Sequence, residues 1–223
     1  MILHIVLIEE PERLGALRDA IARLEWQDGK ATAGSAAGRV KHNEQAKLSG
    51  ADGRQVRQTI LDEIREHPVV QAAARPRRVS GPLISRMQKG GHYGAHTDNA
   101  FMGEGQERLR TDLSFTLFLN EPADYEGGEL VVQNAGLTKA IKGAAGTMLL
   151  YPSTSIHEVR AVTSGTRLVA VGWIESLIRD AHRREMLFDL QNLRAGLRGR
   201  FAPDTPELLL LDKAMSNLLR MWS

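Results

Sequence analysis

Between residues 83 and 173 the chain is a succession of short apolar runs cut by turn signals, and this punctuation constrains the fold more than any other feature. The runs lie at 83–87, 113–119, 129–132, 147–151, 157–162 and 167–173. Gly90-Gly91, Gly127-Gly128, Asn134-Ala135-Gly136, Tyr151-Pro152 and Ser164-Gly165 mark the turns. Each run is too short to be a helix with a buried stripe. Strands at this spacing predict a β-sandwich or barrel. Residues 2–8 read as a further strand.

Outside this region the period is helical. Leu14, Leu17, Ile21 and Leu24 share one face over 11–26, with Pro11 suited to a first turn. Val56, Ile60 and Ile64 mark a second helix over 52–67. The stretch 28–50, rich in Gly, Ala, Ser and Lys, reads as a long loop, of the kind that often carries function. Helices return over 178–193 and 206–221. The fold class is therefore α+β. Residues 1–76 form an N-terminal strand and helices packing on the core, 77–174 a β core, and 175–223 a small helical subdomain. Leucine on nearly every side of the last helix exceeds what one core-facing stripe needs. It is expected to pack on the barrel, with a homo-oligomer contact as the alternative.

The 223 residues contain no cysteine, which removes disulfides, thiolate zinc sites, iron–sulfur clusters and cysteine nucleophiles. Any metal must be held by His, Asp or Glu. The apolar start, residues 1–8, meets Glu9 and Glu10 at once and reads as a strand, not a signal peptide. No stretch is long enough to span a membrane, and a cytoplasmic location is the default expectation. A net charge of +2 does not point to nucleic acid. The one hint of it, the arginines at 179, 183, 184, 194, 198 and 200, reads better as solvated helix faces and salt bridges.

The segment 90–99 contains His96-Thr97-Asp98. Residues two apart on a strand project from one face, so an imidazole and a carboxylate reach one point. His157 is the best third ligand. Two His and one carboxylate form the facial triad of non-haem iron(II) oxygenases, which leaves positions open for a chelating cosubstrate and dioxygen. His92 is the rival ligand, because 92, 94, 96 and 98 would share a regular strand face. His4, His42, His67 and His182 read as structural or solvated. Arg167 follows His157 by ten residues, with Thr163-Ser164-Gly165-Thr166 as a turn between them. In a hairpin the two would lie roughly 16 Å apart, a span that an imidazole, a five-carbon diacid and an arginine arm can bridge. Arg167 would hold the far carboxylate bidentately.

These motifs resemble those of the PKHD-type hydroxylases, bacterial relatives of the prolyl and lysyl hydroxylases, and the resemblance runs nearly end to end. It is carried by Trp26 to Gly34 with Val40-Lys41-His42-Asn43, by Gly94 to Ala100, by Arg110 to Ser114, by Tyr125-Glu126-Gly127-Gly128-Glu129-Leu130, by Tyr151 to Ser155, and by Trp173 to Ser176 with Arg179-Asp180. The resemblance implies a double-stranded β-helix (jelly-roll, cupin-like) core, Fe(II), 2-oxoglutarate as cosubstrate and L-ascorbate (vitamin C) as reductant. It implies iron ligation by His96, Asp98 and His157, and 2-oxoglutarate binding by Arg167. Two positions depart from related hydroxylases: Met87 and Phe118 stand where a Tyr is often found. Thr116, on the same strand face as Phe118, and Tyr93 are the candidates for the missing hydroxyl contact to the far carboxylate.

The implied reaction decarboxylates 2-oxoglutarate to succinate and hydroxylates an unactivated C–H. The substrate would be a peptidyl proline or lysine, or a small molecule. Lys41, Asn43 and Gln45 are candidates for recognising it. A non-catalytic, cupin-like metal- or ligand-binding module is the alternative, and nucleic-acid repair on an iron scaffold is a third.

Overall fold

The computed structural model describes residues 1–29, 41–134 and 137–223. Two antiparallel sheets face each other. In spatial order, the larger contains Leu3–Val6, Thr147–Pro152, Leu113–Phe118, Arg167–Ser176, Leu83–Met87, Glu44–Ala46 and Trp26–Asp28. Pro76–Val79 pairs with the end of Arg167–Ser176. The smaller contains Leu137–Ile141, Leu130–Asn134, Ile156–Val159, His92–His96 and Lys41–His42. This is a double-stranded β-helix in an α+β chain.

Strand alternation sorts the larger sheet into two faces. Leu113, Phe115, Leu117, Met148, Leu150, Ala170 and Ile174 join one apolar cluster with Leu17, Ile21, Val56, Ile60, Ile64 and Val70 from the helices Pro11–Ala22, Ala51–Glu66 and Pro68–Ala74. Phe118, Leu149, Tyr151 and Val169 turn the other way, into a second cluster with Leu130, Val132 and Val159 of the smaller sheet. Covered on both faces, Leu113–Phe118 is buried at every residue. Each fully buried Leu or Ile contributes on the order of 2 kcal/mol, so the helical layer fixes the outer face of the sheet whose inner face lines the site.

The structure departs from the sequence reading in several places. The first helix stops at Ala22, and Trp26 opens an edge strand instead, its ring covered by the Arg86 guanidinium at 4.1 Å. A short helix, Pro68–Ala74, follows the second. His67 caps it by accepting from the Val69 amide, which leaves its other ring nitrogen to donate to the Val6 carbonyl at 3.1 Å. Residues 30–40 of the expected loop lie outside the described residues, but Lys41–His42 and Glu44–Ala46 are strands, one in each sheet. Arg167 and His157 do not share a hairpin. The strand Ile156–Val159 belongs to the smaller sheet and Arg167–Ser176 to the larger, while Val162–Gly165, between them, pairs with Tyr125–Gly127.

The last two helices, Ala181–Arg198 and Pro206–Trp222, pack on each other, and the former packs on Pro68–Ala74. The leucine-rich helix therefore rests mainly on its helical neighbour, not on the barrel. Its Leu208 and Met215 are buried, whereas Leu209 and Leu210 are exposed. Among the arginines noted above, Arg184 is buried against the carbonyls of Ile178 and Arg179, Arg194 and Arg198 hold Asp212 at 3.0 Å each, and Arg183 stacks over Trp222. Among the described residues no helix is long and apolar enough to cross a membrane.

Candidate active site

His157 and His96 are cross-strand neighbours in the smaller sheet, and Val159 lies opposite Tyr93. Two steps on one strand thus match three on the other, which is a β-bulge. The bulge brings to one face residues that a regular strand would separate: the rings of Tyr93 and His96 stack at 3.7 Å and 22°. His92, which alternation alone would place beside His96, stacks instead on His42 at 5.0 Å and contacts the Gly90 carbonyl. It is not a member of the cluster whose ligand atoms could hold a metal.

That cluster is His96, Asp98 and His157, each offering a ligand atom within 4.8 Å of the others. Nδ1 of His96 meets the Gly94 carbonyl at 2.8 Å, and Nδ1 of His157 meets that of Ser155 at 3.0 Å. A carbonyl only accepts, so Nδ1 of each ring donates, and Nε2 is the ring nitrogen left available to a metal. Asp98 lies just past the strand end, where the Ser114 hydroxyl donates to its Oδ2 at 2.5 Å and in turn meets Ser153 at 2.7 Å. Burial, with His157 alongside, pushes His96 below the ordinary imidazole range, which keeps its nitrogen free of a proton at neutral pH. The donor set fits a divalent transition metal.

The cluster opens on a cavity of about 120 Å³ between the sheets. At roughly 10–15 Å³ for each water-sized occupant, this is room for a small diacid. Leu130, Val159, Val169 and Val171 supply apolar wall, and Arg167 lines the cavity from the opposing sheet. Arg167 is 2% exposed, and its Nε has no hydrogen-bond partner among the described residues. Burial pushes its pKa down, against the opposing pull of Tyr125 and Tyr151. The Tyr125 hydroxyl lies close enough to favour the charged guanidinium, yet it too is buried without a partner of good geometry. Gly128, at φ +66°, leaves the space that the arginine stem and the Tyr125 ring fill.

The expected hydroxyls are both in the cavity wall. Thr116 lines it next to Tyr151, and Tyr93 sits against His96, with its phenol pushed up to about 12 by burial. Phe118 lies under the guanidinium at 5.8 Å. Sequence reasoning missed Tyr151, which meets His157 edge-on at 5.2 Å and also favours the charge on Arg167. The available signal is that it shares a strand face with Leu149 and alternates with Met148 and Leu150.

A PKHD-type hydroxylase of Hyphomonas neptunium is 54% identical to this chain over 204 residues, covering 92% of the chain and 91% of that protein. The chain belongs to the PKHD-type hydroxylase family. A second PKHD-type hydroxylase, from Gloeothece citriformis, is 45% identical over the full length of both proteins. The profile of the 2OG-Fe(II) oxygenase superfamily matches residues 82–175 of this PKHD-type chain. Among solved structures, a prolyl hydroxylase from Trichoplax adhaerens, in complex with a hypoxia-inducible factor peptide fragment, has the same fold. Its TM-score is 0.57 at 14% identity, over 78% of this chain and 83% of that one. This PKHD-type hydroxylase is thus an Fe(II)- and 2-oxoglutarate-dependent dioxygenase.

Proposed function

We propose that the protein hydroxylates an unactivated C–H of a peptidyl (prolyl- or lysyl-like) or small-molecule substrate, releasing succinate and CO2. In this reading His96, Asp98 and His157 hold Fe(II), and Arg167 binds the far carboxylate of 2-oxoglutarate. Thr116 and Tyr93 supply polar contacts along the cosubstrate, and ascorbate keeps the metal reduced. Residues 77–174 are the catalytic core, flanked by the N-terminal strand and helices of residues 1–76 and by the helical subdomain 175–223. The protein works in the cytoplasm.

The observation that carries this reading is one cavity with a His–Asp–His cluster on one wall and, on the other, a buried arginine that has no acid partner among the described residues. The bound iron and 2-oxoglutarate supply the oxygen-activating chemistry. The chain's own residues position and exclude. The carbonyls of Gly94 and Ser155 aim the two Nε2 atoms, Ser114 aims the Asp98 carboxylate, and the valine and leucine wall keeps bulk water away. No general base or covalent nucleophile is needed.

The test is succinate formation from 2-oxoglutarate under air with Fe(II) and ascorbate. Wild type should turn over slowly without substrate. His96→Ala should be inactive, and Arg167→Ala should need far more 2-oxoglutarate. Binding of Fe(II) with no succinate formation would make the non-catalytic binding module the better reading, and failure to bind both Fe(II) and 2-oxoglutarate would overturn the dioxygenase reading.

A further inference from the structure

Lys41 is a cation in an unusual place. It stands on the edge strand of the smaller sheet opposite Tyr93, is 7% exposed and lines the cavity. Its ammonium lies 5.5 Å from the centre of the Tyr93 ring, and that ring stacks on His96. Lys41, Tyr93 and His96 thus form a column that ends at the metal cluster. Among the described residues the ammonium makes no hydrogen bond or ion pair; burial pushes its pKa down, and Asp28 pulls the other way. Residues 30–40, which precede it, contain no Asp or Glu, only the cations Lys30 and Arg39. An aromatic face only partly compensates a desolvated ammonium.

Formal charge in the loaded site is out of balance by one. Among the described residues three charged side chains besides histidine line the cavity: Lys41, Asp98 and Arg167. With the proposed ligands in place, the two positive charges of Fe(II) and the one on Arg167 balance the 2-oxoglutarate dianion and Asp98. Lys41 is left over. A surplus buried cation beside the metal favours a substrate that brings an anion.

We propose that Lys41 is a substrate-specificity residue: with the Tyr93 face it forms a subsite, next to the metal cluster, for a carboxylate of the primary substrate. The carboxylate accepts from the ammonium and displaces no cosubstrate, because the far carboxylate of 2-oxoglutarate belongs to Arg167. The amide of Asn43, whose Nδ2 donates to Ser85 at 2.6 Å, extends the polar wall beyond it. The inference rests on the site assignment under Proposed function.

The experiment uses the full chain loaded with Mn(II), a paramagnetic ion that does not activate dioxygen, and saturating 2-oxoglutarate. Trifluoroacetate and the neutral isostere trifluoroacetamide are added together, and the paramagnetic relaxation of each fluorine signal is read. In wild type the acid should be enriched near the metal by about tenfold over the amide, the effect of one charge-assisted hydrogen bond. In Lys41→Met the ratio should fall towards one, and Lys41→Arg should keep most of it. Equal relaxation of the two probes in wild type overturns the proposal. So does an acid effect unchanged in Lys41→Met, which would mean direct ligation of the metal. Mn(II) affinity in the same samples reports whether the variant has folded, and Lys41→Gln repeats the test should Lys41→Met not fold. Absence of Mn(II) or 2-oxoglutarate binding in wild type, measured by calorimetry, overturns the site assignment itself and is told apart from failure of the Lys41 subsite alone.

Discussion

Replacing Arg167 by methionine should stabilise the ligand-free protein while destroying its affinity for 2-oxoglutarate. The guanidinium is 2% exposed, its Nε is unpartnered, and among the described residues no carboxylate pairs with it. A buried donor without an acceptor costs about 1–3 kcal/mol, and a buried charge without a partner costs more. Methionine keeps an unbranched stem in the slot beside Gly128 and removes both penalties. What is lost is the desolvated contact with the Phe118 ring, worth about 2 kcal/mol, and the pull of Tyr125 and Tyr151 on the charge; the several kcal/mol of removed charge burial exceed both. The net expectation is a gain of about 1–3 kcal/mol, or roughly 2–12 °C in Tm for a chain of this length. Cosubstrate binding should move the opposite way. Loss of two charge-assisted hydrogen bonds at about 1.5–3 kcal/mol each raises the Kd for 2-oxoglutarate by a hundredfold or more. Scanning calorimetry of the Mn(II)-loaded proteins shows both effects at once. Without 2-oxoglutarate the variant melts higher; with it, only wild type gains further. A variant that melts lower than wild type and still gains from 2-oxoglutarate would refute the reasoning.

Neighbouring contacts can be tested in the same way. Ser114→Ala removes the hydroxyl that fixes Asp98 and should weaken Mn(II) binding by about 10- to 100-fold, read by titration, with little change in Tm. Gly128→Ala puts a methyl group 3.0 Å from the Tyr125 ring and 3.1 Å from the Arg167 stem at φ +66°. It should cost about 1–2 kcal/mol of stability and raise the Kd for 2-oxoglutarate, whereas Gly50→Ala, with open space around it, should leave that Kd alone. Glu175 is pushed up by burial, but the hydrogen bonds from Arg78 and the Arg110 amide outweigh this and hold it below the ordinary carboxylate range. Its contribution is therefore complete above the unfolded value of about 4.3 and fades as pH falls through the lower folded value. Glu175→Gln should cost about 2 kcal/mol at pH 7, and urea melts of the two proteins should converge in acid.

The strands and the metal cluster were legible in the sequence because they rest on local rules. Leu113, Phe115 and Leu117 alternate with Ser114, Thr116 and Phe118, and both faces are covered. The His96-Thr97-Asp98 spacing survives because the chain stays extended there, and the turn glycines mark where it reverses. What stayed hidden depends on long-range pairing. The bulge between Tyr93 and His96 is defined only against His157 and Val159, and it exchanged His92 for Tyr93 on the inner face. Arg167 and His157 are ten residues apart, and alternation cannot say that the chain between them changes sheets. Lys41, a recognition candidate from the sequence, sits in a Gly- and Ala-rich stretch that reads as a long loop, and its burial by pairing with Tyr93 could not be read there. Tyr125 and Tyr151 reach Arg167 from different strands, a meeting that no spacing in the sequence encodes.

The bulge at 93–96 also ties catalysis to the reading of single codons. Deleting one residue there would straighten the strand and improve its ladder, leaving the two-sheet shell intact. It would also swing either Tyr93 or His96 out of the cavity. Such a chain would keep the pairing of the two sheets while parting the ring of His96 from Asp98 and His157, or that of Tyr93 from His96. A lineage in which this protein has been relieved of its chemistry can therefore be recognised by the length of the segment between the two rings, even where every ligand residue is still spelled out.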